Sequence, residues 1–112
     1  MPNVDWFGAE NNQIESLEPL RTLTKLTFLQ LKNNKIKELE PISALQVLGS
    51  LYLSNNYVDD ISPLYDIISM SYLEMADNCV PKEQFSTLKE KNPDIVIIGV
   101  DLDNYVIPEK CQ

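Results

Sequence analysis

Histidine is absent from this 112-residue chain, which removes imidazole bases, Ser-His-Asp and Cys-His nucleophile pairs, and every zinc site built with a His ligand. Carboxylates, two thiols and a few lysines remain. Glu38 with Glu40, and Asp59 with Asp60, have the spacing of paired acids that a hydrolase could use. Lacking a basic or imidazole partner and falling between apolar runs, they read as solvated turn residues. Asp101, Asp103 and Asn104 begin like a calcium loop, but the glycine and the distant glutamate that complete one are missing, so no metal is expected. Lys32, Lys35 and Lys37 are bracketed by Glu38 and Glu40, and three glycines are too few for a phosphate-cradling loop. No cofactor is implied. Cys79 and Cys111 can form neither a Cys-X-X-Cys motif nor a four-thiolate site; they are either a free pair or one disulfide.

Nine basic against seventeen acidic residues give a net charge of -8, which argues against nucleic acid or an anionic membrane surface as partner. The excess is uneven. Residues 1–56 carry six acids and five bases, and residues 57–112 carry eleven and four. No apolar run is long enough to span a bilayer, and the first residues lack the basic-then-apolar order of a signal peptide, so the chain reads as soluble, with its compartment open.

The elements that position these residues follow from an internal period. Asn12, Asn34, Asn56 and Asn78 are spaced by 22. Leu26, Leu29, Leu31, Asn34, Ile36, Leu39, Pro41, Ile42 and Leu45 are matched in type 22 residues later by Leu48, Leu51, Leu53, Asn56, Val58, Ile61, Pro63, Leu64 and Ile67. Val4 to Leu23 repeat the same template, and Met70, Leu73, Met75, Asn78 and Val80 begin it once more. Apolar residues alternating along the Leu-x-Leu segments predict one short strand per repeat, and successive copies predict a parallel sheet. Each Asn stands where the chain turns in after its strand, so the four amides should form a buried polar ladder satisfying backbone groups. The Pro19, Pro41 and Pro63 column predicts tight or 3-10 turns on the return side.

The pattern Leu-x-x-Leu-x-Leu-x-x-Asn-x-Ile-x-x-Leu-x-Pro-Leu-x-x-Leu, met over Leu26–Leu45 and Leu48–Ile67, resembles the 22-residue leucine-rich repeat. Asp59 to Leu64 is most similar to the bacterial internalin type, and phosphatase-regulatory repeats share much of the consensus. The resemblance implies an α/β-class solenoid with a concave parallel sheet, convex 3-10 or irregular turns, and a role in binding proteins. About three and a half repeats occupy residues 1–80, and residues 81–112 read as a C-terminal cap within the same structural domain. In that cap Pro81, Phe85, Leu88 and Asn92 outline a short helix, and Ile95 to Val100 a last strand. A Cys79–Cys111 bridge would staple cap to coil.

In such a solenoid the residues flanking the inward leucines line the concave face. They are Trp6, Phe28, Ser50 and Tyr72; Gly8, Gln30, Tyr52 and Glu74; then Glu10, Lys32, Ser54 and Ala76. Four of these twelve are aromatic against 8% of the chain, and exposed aromatics on a sheet are typical anchors for a protein partner. Cross-strand stacking alone would also favour them. The candidate binding set is Trp6, Phe28, Gln30, Lys32, Tyr52, Tyr72 and Glu74. At the other end no polar capping helix precedes Val4 to Ala9, so Val4, Phe7, Ala9, Ile14 and Leu17 should present an apolar edge, as in a fragment of a longer repeat protein or a self-associating subunit.

Overall fold

The computed structural model describes residues 5–112. Strands β1 (Trp6–Gly8), β2 (Phe28–Gln30), β3 (Ser50–Tyr52), β4 (Tyr72–Glu74) and β5 (Val96–Ile98) form one parallel sheet in sequence order. The register steps by one repeat, with Phe7, Leu29, Leu51 and Leu73 side by side. Only three residues per strand are needed, because each coil continues to bond its neighbours beyond the strand: the Leu31 N–H donates to the Tyr52 carbonyl at 2.8 Å and the Leu53 N–H to Glu74 at 2.8 Å. The return side is made of 3-10 turns at Glu18–Leu20, Glu40–Ala44 and Ser62–Leu64, each with its proline in the first turn. There the missing N–H costs nothing, since no partner was available for it. Between sheet and turns lies a single core in which Leu26, Leu29, Leu31, Ile36, Ile42, Leu48, Leu51, Leu53, Val58 and Ile61 are fully buried.

The asparagines join successive coils. Asn56 Nδ2 donates to the Leu53 carbonyl of its own coil and the Leu31 carbonyl of the coil before, both at 3.0 Å, while its Oδ1 accepts the Ile36 N–H at 3.0 Å. Asn34 repeats this with Leu31, Ala9 and Ile14, and Asn78 with Met75, Leu53 and Val58. Asn12 departs from the buried ladder expected of it. It is exposed and donates only within its own coil, to Ala9 and Glu10 at 3.0 Å each, because no earlier coil among the described residues offers it a backbone N–H.

The preceding column has its own function. Asn11, Asn33, Asn55 and Asp77 take positive φ between 57° and 62°, the left-handed conformation that Asn and Asp tolerate best among residues with a Cβ. Their side chains also link across coils: Asn33 Nδ2 donates to Asn11 Oδ1 at 2.6 Å and Asn55 Nδ2 to Asn33 Oδ1 at 2.8 Å.

The chain then changes pattern. Helix α1 (Lys82–Lys91) starts after Pro81, which stands just outside it as the N-cap, and buries Phe85 and Leu88 against the last coil. Gln84 Oε1 accepts the Ile61 N–H at 2.7 Å and Asn92 Nδ2 donates to the Met70 carbonyl at 2.7 Å, so the helix satisfies backbone groups that another coil would otherwise meet. β5 is shorter than the run Ile95 to Val100 suggests. Gly99 ends it at φ 85°, where a Cβ would lie 2.7 Å from the Ala76 Cβ and 3.0 Å from its backbone nitrogen.

The tail folds back over the loops that follow β3 and β4. Cys79 and Cys111 form a disulfide with Cα atoms 5.7 Å apart. Tyr105 donates its hydroxyl hydrogen to the Val80 carbonyl and packs edge-on against Phe85 at 5.8 Å. Lys110 Nζ reaches Asn55 Oδ1 at 3.1 Å and the Asp77 carboxylate at 3.4 Å, over the Tyr57 ring. The lysine thereby closes the left-handed Asn column where Asp replaces Asn.

Two outcomes follow. Asn56→Ala leaves buried backbone groups of two coils unpaired and lowers unfolding free energy by about 3 kcal/mol, against less than about 1 kcal/mol for exposed Asn12→Ala; urea melts of the pair measure the difference. Reducing the disulfide opens a loop spanning 32 residues and costs roughly 3–4 kcal/mol on the chain-entropy model, read from melts with and without reductant.

Candidate binding face and related proteins

The side chains on either side of each strand centre point away from the core, and the aromatic ones meet. Trp6 stacks on Phe28 with ring centroids 5.6 Å apart and planes 10° from parallel. Phe28 meets Tyr52 at 5.2 Å, and Tyr52 meets Tyr72 at 5.2 Å, both edge to face. Because Phe28 stands opposite Ser50 and Tyr52 opposite Gln30, the contact between Phe28 and Tyr52 is diagonal. The result is one zigzag ribbon of four rings across four strands. Serine at position 50 leaves room for that diagonal.

Strand β5 extends the apolar strip. Val96 stands beside Tyr72 and Ile98 beside Glu74, and they are 49% and 39% exposed. These two residues are absent from the set read in the repeats, because β5 lies after the pattern breaks; the β-branched run from Ile95 to Val100 was the available signal. Gln30 Oε1 accepts the Lys32 N–H at 3.0 Å and so is partly committed to its own loop. Lys32 and Glu10 are exposed, and Glu74 is half-buried near Tyr52. Burial, then the neighbouring Tyr72 and Glu74, raise the Tyr52 phenol above its ordinary range. Ser54 is not free for a partner either. It is buried, and its hydroxyl oxygen accepts the Ala76 N–H at 3.0 Å.

On the return side the carboxylates do have basic partners, contrary to the reading of the turns. Arg21 bridges Glu18, at 2.6 Å, and Glu40 of the next coil, and its hydrogen bonds hold both carboxyls below their usual range. Lys37 lies 3.6 Å from Asp59. Arg21 escapes a reading confined to one repeat because its partner Glu40 is 19 residues away. Such exposed pairs contribute little to stability. Among the described residues no cluster of three or more metal-ligating side chains occurs, and no helix is long and apolar enough to cross a membrane.

The apolar N-terminal edge is smaller than expected. Leu17 is buried, whereas Phe7, Ala9 and Ile14 are half-exposed; Val4 lies outside the described residues. Leu17 belongs to the column of Leu39 and Ile61 that points into the space between strand and turn, and the Leu20 N–H on its carbonyl at 2.9 Å folds the turn over it. Phe7, Ile14, Leu17, Pro19 and Leu20 still line a shallow apolar cavity of about 180 Å³.

Residues 2–46 match the family model described as Leucine Rich repeats (2 copies). Internalin C2 from Listeria monocytogenes superposes with a TM-score of 0.71 at 30% identity, over 78% of this chain and 38% of its own. The chain carries leucine-rich repeats and shares its fold with internalins. Internalin F of the same organism covers 85% of this leucine-rich-repeat chain at 23% identity and TM-score 0.60, and 34% of its own length. The functional domain of InlJ from L. monocytogenes, which includes a cysteine ladder, covers 84% at 18% identity and TM-score 0.69, and 19% of its own length. The leucine-rich-repeat chain thus spans well under half of each of these structures. No curated protein sequence matches it significantly. Leucine-rich repeats and likeness to internalins point to a protein–protein interaction module.

Truncating Phe28 to Ala breaks two ring contacts of the ribbon at once and lowers stability by about 1–2 kcal/mol. Far-UV circular dichroism should be unchanged while Trp6 emission shifts; loss of the sheet signal would place Phe28 in the core instead.

Proposed function

We propose that this chain is a non-catalytic recognition module that holds a protein partner on the open face of its sheet. The observation that carries the reading is the uninterrupted strip from Trp6 through Phe28, Tyr52 and Tyr72 to Val96. Core residues lie beneath it, so its side chains are held rigidly, and little conformational entropy remains to be lost on binding. Aromatic anchors at the centre of a contact, with polar groups such as Gln30, Lys32 and Glu74 beside them, are the arrangement that concentrates binding energy. Residues 81–112 act in this reading as the C-terminal cap, keeping the sheet rigid up to β5. The absence of histidine and the pairing of turn carboxylates with Arg21 and Lys37 support a chain without catalysis.

A second reading, association through the N-terminal edge, is supported by the apolar cavity beside Phe7 and Ile14. That edge fits a preceding coil or a second copy. Strictly monomeric sedimentation, with protected amides in the first coil, would count against it.

The test is affinity capture with the wild-type chain, the Phe28→Ala/Tyr52→Ala/Tyr72→Ala variant and an Arg21→Ala control on the return side. Proteins retained by wild type and control should be lost from the triple variant, at a temperature where circular dichroism shows it folded. Equal retention by all three would overturn the open face as the site.

A further inference from the structure

The ribbon is not uniform, and its Trp6 end has a geometry of its own. Trp6 is 58% exposed, the most open aromatic of the ribbon. A Cβ at position 8 would lie 2.7 Å from the Trp6 Cη2 and 3.2 Å from its Cζ2, so the indole lies along the strand over Gly8, in the space a side chain would fill. From there it stacks nearly parallel with Phe28, whereas the other two ring contacts are edge to face. A flat, exposed pair of rings is therefore offered at one end only.

Charge selects what can lie on it. Among the outward positions of strands β1 to β4 and the residues just after them, Glu10 and Glu74 are acidic and Lys32 alone is basic, on a chain of net charge -8. Glu10 stands two residues beyond Gly8, the last residue of β1, about 7 Å on if the chain stays extended, and the indole runs from Trp6 over Gly8 in that direction. An indole face attracts a cation through its quadrupole, more strongly than a phenyl or phenol ring. A planar guanidinium can both stack and present its N–H fork to a carboxylate, which a lysine ammonium cannot do. Residues 1–56 carry a net charge of only -1, six acids against five bases, so attraction at this end comes from Glu10 and the ring faces at short range rather than from the field of the whole chain.

We propose that Trp6, Phe28 and Glu10 form a seat for an arginine side chain of the protein partner, with Gly8 as the positioning residue that lets the indole lie flat. The inference rests on the open-face reading and sharpens it to a partner with a basic contact surface. Lys32 works against the incoming cation and sets a limit on affinity.

Trp6 is the one tryptophan of the chain, so its fluorescence reports the seat directly. The probe is the capped peptide Gly-Arg-Gly, compared with its lysine, citrulline and glutamate analogues, with labelled protein in parallel to map shifts by NMR. Saturable changes at Trp6 and Phe28 are expected with arginine, several-fold weaker with lysine, and absent with neutral citrulline or with glutamate. Gly8→Val and Glu10→Gln should each weaken the arginine response several-fold with circular dichroism unchanged, and Lys32→Ala should strengthen it. Citrulline binding as well as arginine, shifts centred on the Glu15–Glu18 turn rather than Trp6, or indifference to Gly8→Val and Glu10→Gln would each overturn the seat. If the peptides fail while the triple variant still loses captured partners, the arginine seat falls and the open face stands. If the seat binds but the triple variant keeps its partners, the open-face reading falls.

Discussion

The structure depends on how a chain that turns inward every 22 residues satisfies the backbone it buries there. A carboxamide has both donors and an acceptor on one rigid plane, and Asn34, Asn56 and Asn78 use them on two coils at once. An aspartate would lack the donors, and a serine the reach. Each amide therefore joins a coil to its predecessor at a fixed height, and this keeps the strand register constant. The aromatic ribbon inherits its spacing from that register, since the rings meet only if each strand sits one repeat from the last.

A similar dependence runs outward from the core to the face. Leu29, Leu51 and Leu73 are fully buried, so their flanking residues are forced outward without any choice of rotamer. What then differs between coils is side-chain size. Gly8 and Ser50 are small, and they decide where the large rings lie: Trp6 over the strand, Tyr52 across to Phe28. The relief of the open face is set as much by these gaps as by the aromatics.

The repeats made much of this legible. Nine columns recurring at one spacing are enough to place strands, turns and core, because burial repeats with the sequence. The polar partners were harder to read. The Asn column could be seen, yet the exposure of Asn12 depends on what precedes it in space, and the left-handed role of Asn11, Asn33, Asn55 and Asp77 is a property of φ rather than of polarity. Leu17 looked like an edge residue from its position in the first coil, but its column points across the coil and not along the stack. Arg21 with Glu40, Gln84 with Ile61 and Lys110 with Asp77 pair residues from different coils or from outside the repeat, where periodicity has nothing to say. Val96 and Ile98 join the open face for the same reason: they extend the sheet without extending the pattern.

In a stack of coils, contacts run mostly between nearest neighbours, so any coil can in principle peel away from the end. The tail breaks that rule. Cys111 is bonded to the fourth coil, while Lys110 reaches back to Asn55 and Tyr57 of the third. Those two coils, the helix and β5 are thereby tied together by covalent and polar links that the β1 and β2 coils do not share. Tyr72 and Val96 thus stand on the stapled part of the sheet, and Trp6 and Phe28 beyond the reach of the tail.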